Sequence, residues 1–324
     1  MRGAGRFAPT PTGRLHLGNV RTALLSWLWA RSTGRANVLR MEDLDPAAVP
    51  AGAIDGLYAD LDWLGLTYDE SPLRGGPVGP YAQSARFDLY TAPLAALNAL
   101  GLLYSCHCSR KEVAQAALAP HVGDEGPLYP GTCRPLEPAP LASLAPAELP
   151  QRHGKRACLR LNVTAALAKL GLRTLAFEDA ICGPLAFDLP AVSGDFVVQR
   201  ADGLCAYQLA CAFDDVAMGC DQVLRGVDLL TSAARQVLLL RLLGLREPRY
   251  AHVGLVLTPT GEKLSKRDGA IAIAEVRARG GAPRDVLGML AALSGLPVEG
   301  DLESWASVFG LKPGWRDNVR LPGD

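Results

Sequence analysis

Two short stretches hold the residues best suited to handle phosphate. Residues 6–19, Arg-Phe-Ala-Pro-Thr-Pro-Thr-Gly-Arg-Leu-His-Leu-Gly-Asn, run a strand into a turn stiffened by Pro9 and Pro11 and released by Gly13, and a helix opens near Gly18. The first backbone N–H groups of a helix are unpaired and its dipole is positive there, so phosphate is the natural ligand. His16 adds a side-chain donor, and Gly18 lets a flat group approach the backbone. A plain strand-to-helix turn with a solvated histidine would carry the same residues. Downstream, Gly261-Glu262-Lys263-Leu264-Ser265-Lys266-Arg267 places three cations in five positions behind a glycine. Such a loop can close on phosphates or simply sit in solvent.

Two other groups have chemical potential. Glu42, Asp43 and Asp45 follow a short apolar run, where a polar loop starting a helix at Asp45-Pro46 would look the same. Cys106, Cys108 and Cys133 could offer three thiolates to Zn(II), whose structural sites are tetrahedral and sulfur-rich. One C-x-C pair with a distant third cysteine also suits ordinary buried or free thiols. His107 and His121 are rival fourth ligands.

The elements that position these groups read as an α/β protein. A helix over 18–33 puts Val20, Ala23, Leu24, Trp27 and Leu28 on one stripe, and Gly34 closes it. A strand over 37–41 completes a βαβ unit and delivers Glu42 to its C-terminal end, where ligands of parallel sheets collect. The pattern then predicts a helix over 54–64, a Pro/Gly loop over 71–80, a long helix ending near Leu100 and a strand over 102–104. Residues 136–150 read as a surface connection, 157–163 as a strand and 174–187 as strands around Gly183-Pro184. Asp202-Gly203 signals a hairpin between strands over 196–200 and 207–210. An apolar helix over 229–243, a strand over 253–257 and an amphipathic helix over 283–294 follow.

Bulk properties set wide bounds. A chain of 324 residues, 49% hydrophobic and 20% charged, can bury a large core. It has no apolar run of about 18 residues and no signal-peptide core, so a cytoplasmic protein without membrane contact is expected. Lys+Arg and Asp+Glu both number 33, so net charge gives no hint of nucleic acid, though a local basic face is compatible with it. Eight scattered cysteines then argue for thiols or metal ligation more than a disulfide framework.

The P-T-P-T-G-x-L-H-L-G-N and K-L-S-K-R words, in that order and about 250 residues apart, resemble the two nucleotide-binding signatures of class I aminoacyl-tRNA synthetases. Arg40-Met41-Glu42-Asp43-Leu44-Asp45 is similar to the segment by which the glutamyl branch holds its substrate's amino group. Asp214-Asp215-x-x-Met218-Gly219 through Arg225-Gly226-x-Asp228-Leu229-Leu230 is the most specific long match. Tyr81-x-Gln83-Ser84-x-Arg86 also resembles a segment of the family. Asn19 departs from the usual histidine or small residue at the end of the first word, which implies altered contacts with ATP.

The resemblance implies a Rossmann-type nucleotide-binding domain with a parallel sheet in two halves, 1–105 and 161–257. A zinc-containing insertion occupies 106–160, and the K-L-S-K-R loop with a short helical C-terminal region occupies 258–324. It implies that Arg6, Ala8, Thr10, Glu42, Tyr207 and Arg225 meet glutamate, with Arg225 on its side-chain carboxylate. A strand-end salt bridge to Asp228 is the plain alternative for Arg225, and a buried ring with a satisfied hydroxyl for Tyr207. His16, Gly18, Asn19, Lys263 and Lys266 would hold ATP and its Mg(II), with His16, Gly18 and Lys266 closest to the chemistry. The C-x-C then Tyr-x-x-x-Cys form resembles the glutamyl-Q tRNA(Asp) synthetase branch, which implies structural Zn(II) on Cys106, Cys108, Tyr129 and Cys133.

Only 57 residues follow Arg267, too few for the large anticodon-binding domain of full-length glutamyl enzymes. The implied reaction is glutamate activation with ATP and transfer to queuosine in the anticodon stem-loop of tRNA(Asp), by a monomer. A truncated enzyme charging tRNA(Glu) and a small-molecule adenylyltransferase of the same superfamily are the alternatives.

Overall fold

The structure is a computed structural model that describes residues 3–116, 128–149, 151–152, 154–264, 272–297 and 299–321. Strand β1 (Ala4–Phe7), helix α1 (Leu17–Ser32) and strand β2 (Ala36–Leu39) form the first βαβ unit, with Arg6 registered opposite Val38. The expected stripe of α1 is buried, and so are Leu25 and Trp29 beyond it, because α1 lies between the sheet and the C-terminal helices. Helices α2 (Ala53–Trp63) and α3 (Thr91–Ala99) then lead to strand β3 (Leu103–Cys106) and helix α4 (Arg110–Ala116).

Next come strand β4 (Cys158–Leu161), helix α5 (Val163–Lys169), strands β5 (Leu175–Asp179) and β6 (Gly183–Phe187), helix α6 (Leu189–Val192) and strand β7 (Phe196–Gln199). Helix α7 (Tyr207–Ala217), strand β8 (Cys220–Gly226), helix α8 (Leu230–Leu242) and strand β9 (Arg249–Val253) complete the central layer. The chain finishes with β10 (Val256–Leu257), α9 (Ile273–Ala278), α10 (Pro283–Leu293), α11 (Leu302–Val308) and β11 (Val319–Arg320).

The main sheet runs β2-β1-β8-β9-β5-β6 and is parallel except for β6, which returns antiparallel to β5 around Gly183. Both its faces are covered, as a parallel sheet requires. On β8, Leu224 packs in the cluster built around α1, whereas its neighbour Val223 packs with α8 on the other side. Ala251 and Tyr250 of β9 divide the same way. A separate antiparallel sheet, β3-β4-β7, sets Cys106 opposite Cys158. Among the described residues no helix is long and apolar enough to cross a membrane.

Two local expectations are corrected. Residues 207–210 form the first turn of α7 and not a hairpin strand. The turn at Asp202-Gly203 exists, but its return makes a single bridge, Cys205 to Gln199, before the helical spacing of Leu209, Ala212 and Val216 takes over. The long helix ending near Leu100 begins only at Thr91. Upstream, side chains of residues 83–90 are bound to Asp43 and Asp214, which holds the backbone in two short 3₁₀ turns.

Candidate active site and cysteine cluster

The loops at the C-terminal ends of β1, β2, β8 and β9 enclose a cleft of about 500 Å³. Arg6, Ala8, Thr10, Glu42, Tyr207 and Arg225 line it together with His16, Gly18, Asn19 and Lys263. Two backbone bonds lock the loops after β1 and β2 to each other, Arg40 N to Phe7 O and Glu42 N to Pro9 O, both at 3.0 Å. Lys266, with Ser265 and Arg267, lies outside the described residues.

At the mouth of α1 the histidine caps its own helix. His16 Nδ1 accepts from the amides of Gly18 at 3.2 Å and Asn19 at 3.4 Å, and Asn19 Oδ1 accepts from the His16 amide at 3.4 Å. Two of the helix-end donors expected to face phosphate are thus capped internally. The flat group that closes on Gly18 is this imidazole: a Cβ at Gly18 would stand 3.1 Å from the ring. With Nδ1 accepting, the neutral ring carries its proton on Nε2. Lys263 Nζ is 3.0 Å from Asp228 Oδ2, so Asp228, the alternative partner for Arg225, meets the start of the basic loop.

Beneath the cleft lies a buried charge network. Asp215 Oδ1 accepts from Arg40 Nη1 at 2.6 Å and Arg6 Nε at 3.2 Å, and Arg40 Nη2 donates to Glu42 Oε1 at 3.0 Å. Burial would raise the Asp215 carboxyl, but the charges of Arg40 and Arg6 outweigh it and hold the group below its usual range. Cys211 Sγ also donates to Glu42 Oε1 at 3.0 Å, so both bonds fall on one oxygen and Oε2 remains for an ammonium.

Arg225 is 4% exposed, and its Nε donates to His252 Nε2 at 3.1 Å. Its Nη1 and Nη2 are buried without a hydrogen-bond partner among the described residues. Two unsatisfied guanidinium nitrogens in a cleft are a strong demand for a planar anion.

Among the residues that hold this arrangement, Arg40 and Asp215 stood in family-like words without a role of their own, and Asp179 and His252 were not singled out by the sequence. His252 is brought to Arg225 by the pairing of β9 with β8 and meets Asp179 at the end of β5, whereas Asp215 sits on helix α7 and meets Arg6 and Arg40 across 209 and 175 positions. The Tyr-x-Gln-Ser-x-Arg segment finds its role here too. Gln83 Nε2, Arg86 Nε and Tyr90 Oη all donate to buried Asp214 within 2.9 Å, while Ser84 binds Asp43 through its amide and hydroxyl.

The four sulfur and phenol groups form a second site. Cys106, Cys108 and Cys133 bring their Sγ atoms within 4.8 Å of one another. Cys108 and Cys133 are 3.7 Å apart, close to the ~3.8 Å that two 2.3 Å zinc–sulfur bonds span at a tetrahedral angle. Tyr129 Oη stands 3.3 Å from Cys106 Sγ and 3.8 Å from Cys108 Sγ, a fourth position beside the three sulfurs. A hydrogen bond from Cys158 draws the Cys106 thiol below its usual range, against its burial and with help from Tyr129 and Arg160. The donor set can therefore hold a metal ion.

Comparison with known proteins agrees with this geometry. Residues 4–308 match the family described as tRNA synthetases class I (E and Q), catalytic domain. A glutamyl-Q tRNA(Asp) synthetase of Symbiobacterium thermophilum is 48% identical over 99% of this chain and 96% of its own length. One of Deinococcus radiodurans is 42% identical over 97% of this chain and its whole length. Glutamate–tRNA ligase 2 of Alkalilimnicola ehrlichii is 41% identical over 92% of this chain but 60% of its own. The crystal structure of a glutamate-tRNA synthetase from Elizabethkingia anophelis superposes with a TM-score of 0.79 at 26% identity, over 99% of this chain and 68% of that one. On sequence and fold together, the chain belongs to the class I tRNA synthetases of the E and Q type.

Proposed function

We propose that the protein activates L-glutamate with ATP and transfers the glutamyl group to queuosine at the wobble position of tRNA(Asp). The observation that supports a glutamate substrate is the pairing, in one cleft, of the unpartnered Arg225 fork with the Glu42 carboxylate. An amino acid with a side-chain carboxylate offers one charge to each. Tyr207, Arg6, Ala8 and Thr10 border the same space.

In the first step an oxygen of the substrate's α-carboxylate attacks the α-phosphorus of ATP and pyrophosphate leaves. His16, Gly18, Asn19, Lys263 and Lys266 orient the phosphates and compensate the charge that builds on them. Mg(II) bound to ATP would add charge compensation at its phosphates beside these residues. In the second step a queuosine hydroxyl attacks the glutamyl carbonyl and AMP leaves. Cys106, Cys108, Cys133 and Tyr129 would hold a structural Zn(II) that ties the β3 end to the loop carrying Cys133.

The acceptor is assigned from the relatives named glutamyl-Q tRNA(Asp) synthetase, whose lengths this chain spans almost fully. Relatives named glutamate–tRNA ligase favour tRNA(Glu) as the alternative acceptor. Exchange of labelled pyrophosphate into ATP, with glutamate, glutamine or aspartate and with or without tRNA, tests the activation step. Exchange driven by glutamate alone is expected; equal exchange with glutamine would remove Arg225 from its assigned role.

A further inference from the structure

Arg225 and His252 are directly paired residues of the adjacent parallel strands β8 and β9. An arginine Nε can only donate, so His252 Nε2, 3.1 Å away, must accept and carry no proton. The ring's proton therefore sits on Nδ1, which is 2.6 Å from Asp179 Oδ2. That carboxylate is itself fixed, since its Oδ1 accepts from the amides of Cys182 at 2.8 Å, Ile181 at 3.0 Å and His252 at 3.3 Å. All three side chains are buried. The bonds run in one direction, from Arg225 into His252 and from His252 into Asp179, and either other protonation state of the imidazole would set two donors face to face.

The consequence for Arg225 is orientational. Its guanidinium lies over the Tyr250 ring at 5.4 Å, and with Nε engaged the two terminal nitrogens are left for the cleft. A competing partner is present: buried Asp215 feels the Arg225 charge and has an oxygen, Oδ2, without a hydrogen-bond partner. An untethered guanidinium could turn toward that carboxylate and leave the substrate position.

We propose that His252, held as its Nδ1–H tautomer by Asp179, is a positioning residue that aims the Arg225 fork and so sets the preference for glutamate over glutamine. This rests on the reading of Arg225 as the contact for the substrate's side-chain carboxylate.

Two measurements test it, one of them independent of any substrate. Imidazole nitrogen NMR shifts of the intact protein near neutral pH report the tautomer. A protonated Nδ1 and a bare Nε2 are expected, and the reverse tautomer or an imidazolium overturns the relay outright. Pyrophosphate exchange is then compared for His252→Leu, Asp179→Asn and His252→Gln, with folding checked by thermal melts. The leucine variant loses the acceptor, and the asparagine variant can turn its amide N–H toward Nδ1 and impose the wrong tautomer. Both are expected to raise the KM for glutamate roughly 30-fold and cut the glutamate/glutamine ratio of kcat/KM by a similar factor, with the KM for ATP within about 2-fold. Glutamine at 252 can accept from Arg225 and donate to Asp179, and is expected to recover the ratio to within about 5-fold of the parent. Folded variants with unchanged KM and ratio overturn the proposal. A parent enzyme that shows no preference for glutamate overturns the assignment of Arg225 itself, even if the tautomer is as described.

Discussion

Arg40 donates from Nη2 to Glu42 Oε1 at 3.0 Å, two buried side chains two positions apart at the end of β2. The pair fixes a carboxylate that would otherwise swing, and Arg40 is fixed in turn by Asp215 at 2.6 Å. Glu42→Gln keeps the shape and removes the charge. We expect kcat/KM for glutamate to fall about 100- to 1000-fold, some 3–4 kcal/mol, with the KM for ATP within about 2-fold. An unchanged KM for glutamate would separate Glu42 from the substrate's ammonium.

Asp214 holds Arg86, Gln83 and Tyr90 in the interior. Removing it strands a buried guanidinium, so Asp214→Ala should cost about 3–5 kcal/mol in urea unfolding. The half-exposed pair Arg31–Asp69, at 3.0 Å, is the control: Arg31→Ala should cost about 1 kcal/mol or less. Equal losses in the two variants would contradict the role given to the Tyr-x-Gln-Ser-x-Arg segment.

His252 makes stability depend on pH. Burial, opposed by the bond to Asp179, pushes its pKa from 6.5 to about 4. A native value below the unfolded one means that the unfolded chain takes the proton first as pH falls, so stability is full above about 6.5 and declines toward 4. Asp179, Arg225 and Arg6 are the charged groups acting on the ring. The decline should reach about 2 kcal/mol by pH 5. Urea unfolding at pH 7 and pH 5 measures it, and the difference should shrink in His252→Gln.

The cysteine cluster predicts metal content. Protein produced with zinc should hold one equivalent by metal analysis, and Cys108→Ser or Cys133→Ser should lower it at least about 10-fold after dialysis against a chelator. Tyr129→Phe keeps three sulfurs and should retain zinc with weaker affinity. Full zinc in both cysteine variants would move the metal elsewhere.

What could be read from the sequence was local. The strand, the proline-stiffened turn, the opening of α1, the C-x-C pair and the acidic run after β2 lie in short stretches where spacing speaks for itself. Hidden features depended on contacts between elements far apart in the chain. His252 meets Arg225 because β8 lies beside β9, and nothing near either residue announces the other. Arg40, just past β2, meets Asp215 of helix α7 across 175 positions, a contact made by the packing of distant elements. The capping of α1 by His16 was in principle visible, since a histidine before Leu17 and Asn19 can complete a capping box. It was masked by the expectation that those amides serve a ligand. Residues 207–210 misled because four apolar-rich residues after a turn fit a strand, and only the spacing continued to Val216 identifies a helix.

The central claim is the acceptor, and one experiment addresses it most directly. Labelled glutamate, ATP and Mg(II) are supplied with two preparations of tRNA(Asp), one containing queuosine and one lacking it, and with tRNA(Glu) in parallel. Our account predicts label in the queuosine-containing tRNA(Asp) alone; label in tRNA(Glu) with none in either tRNA(Asp) would contradict it.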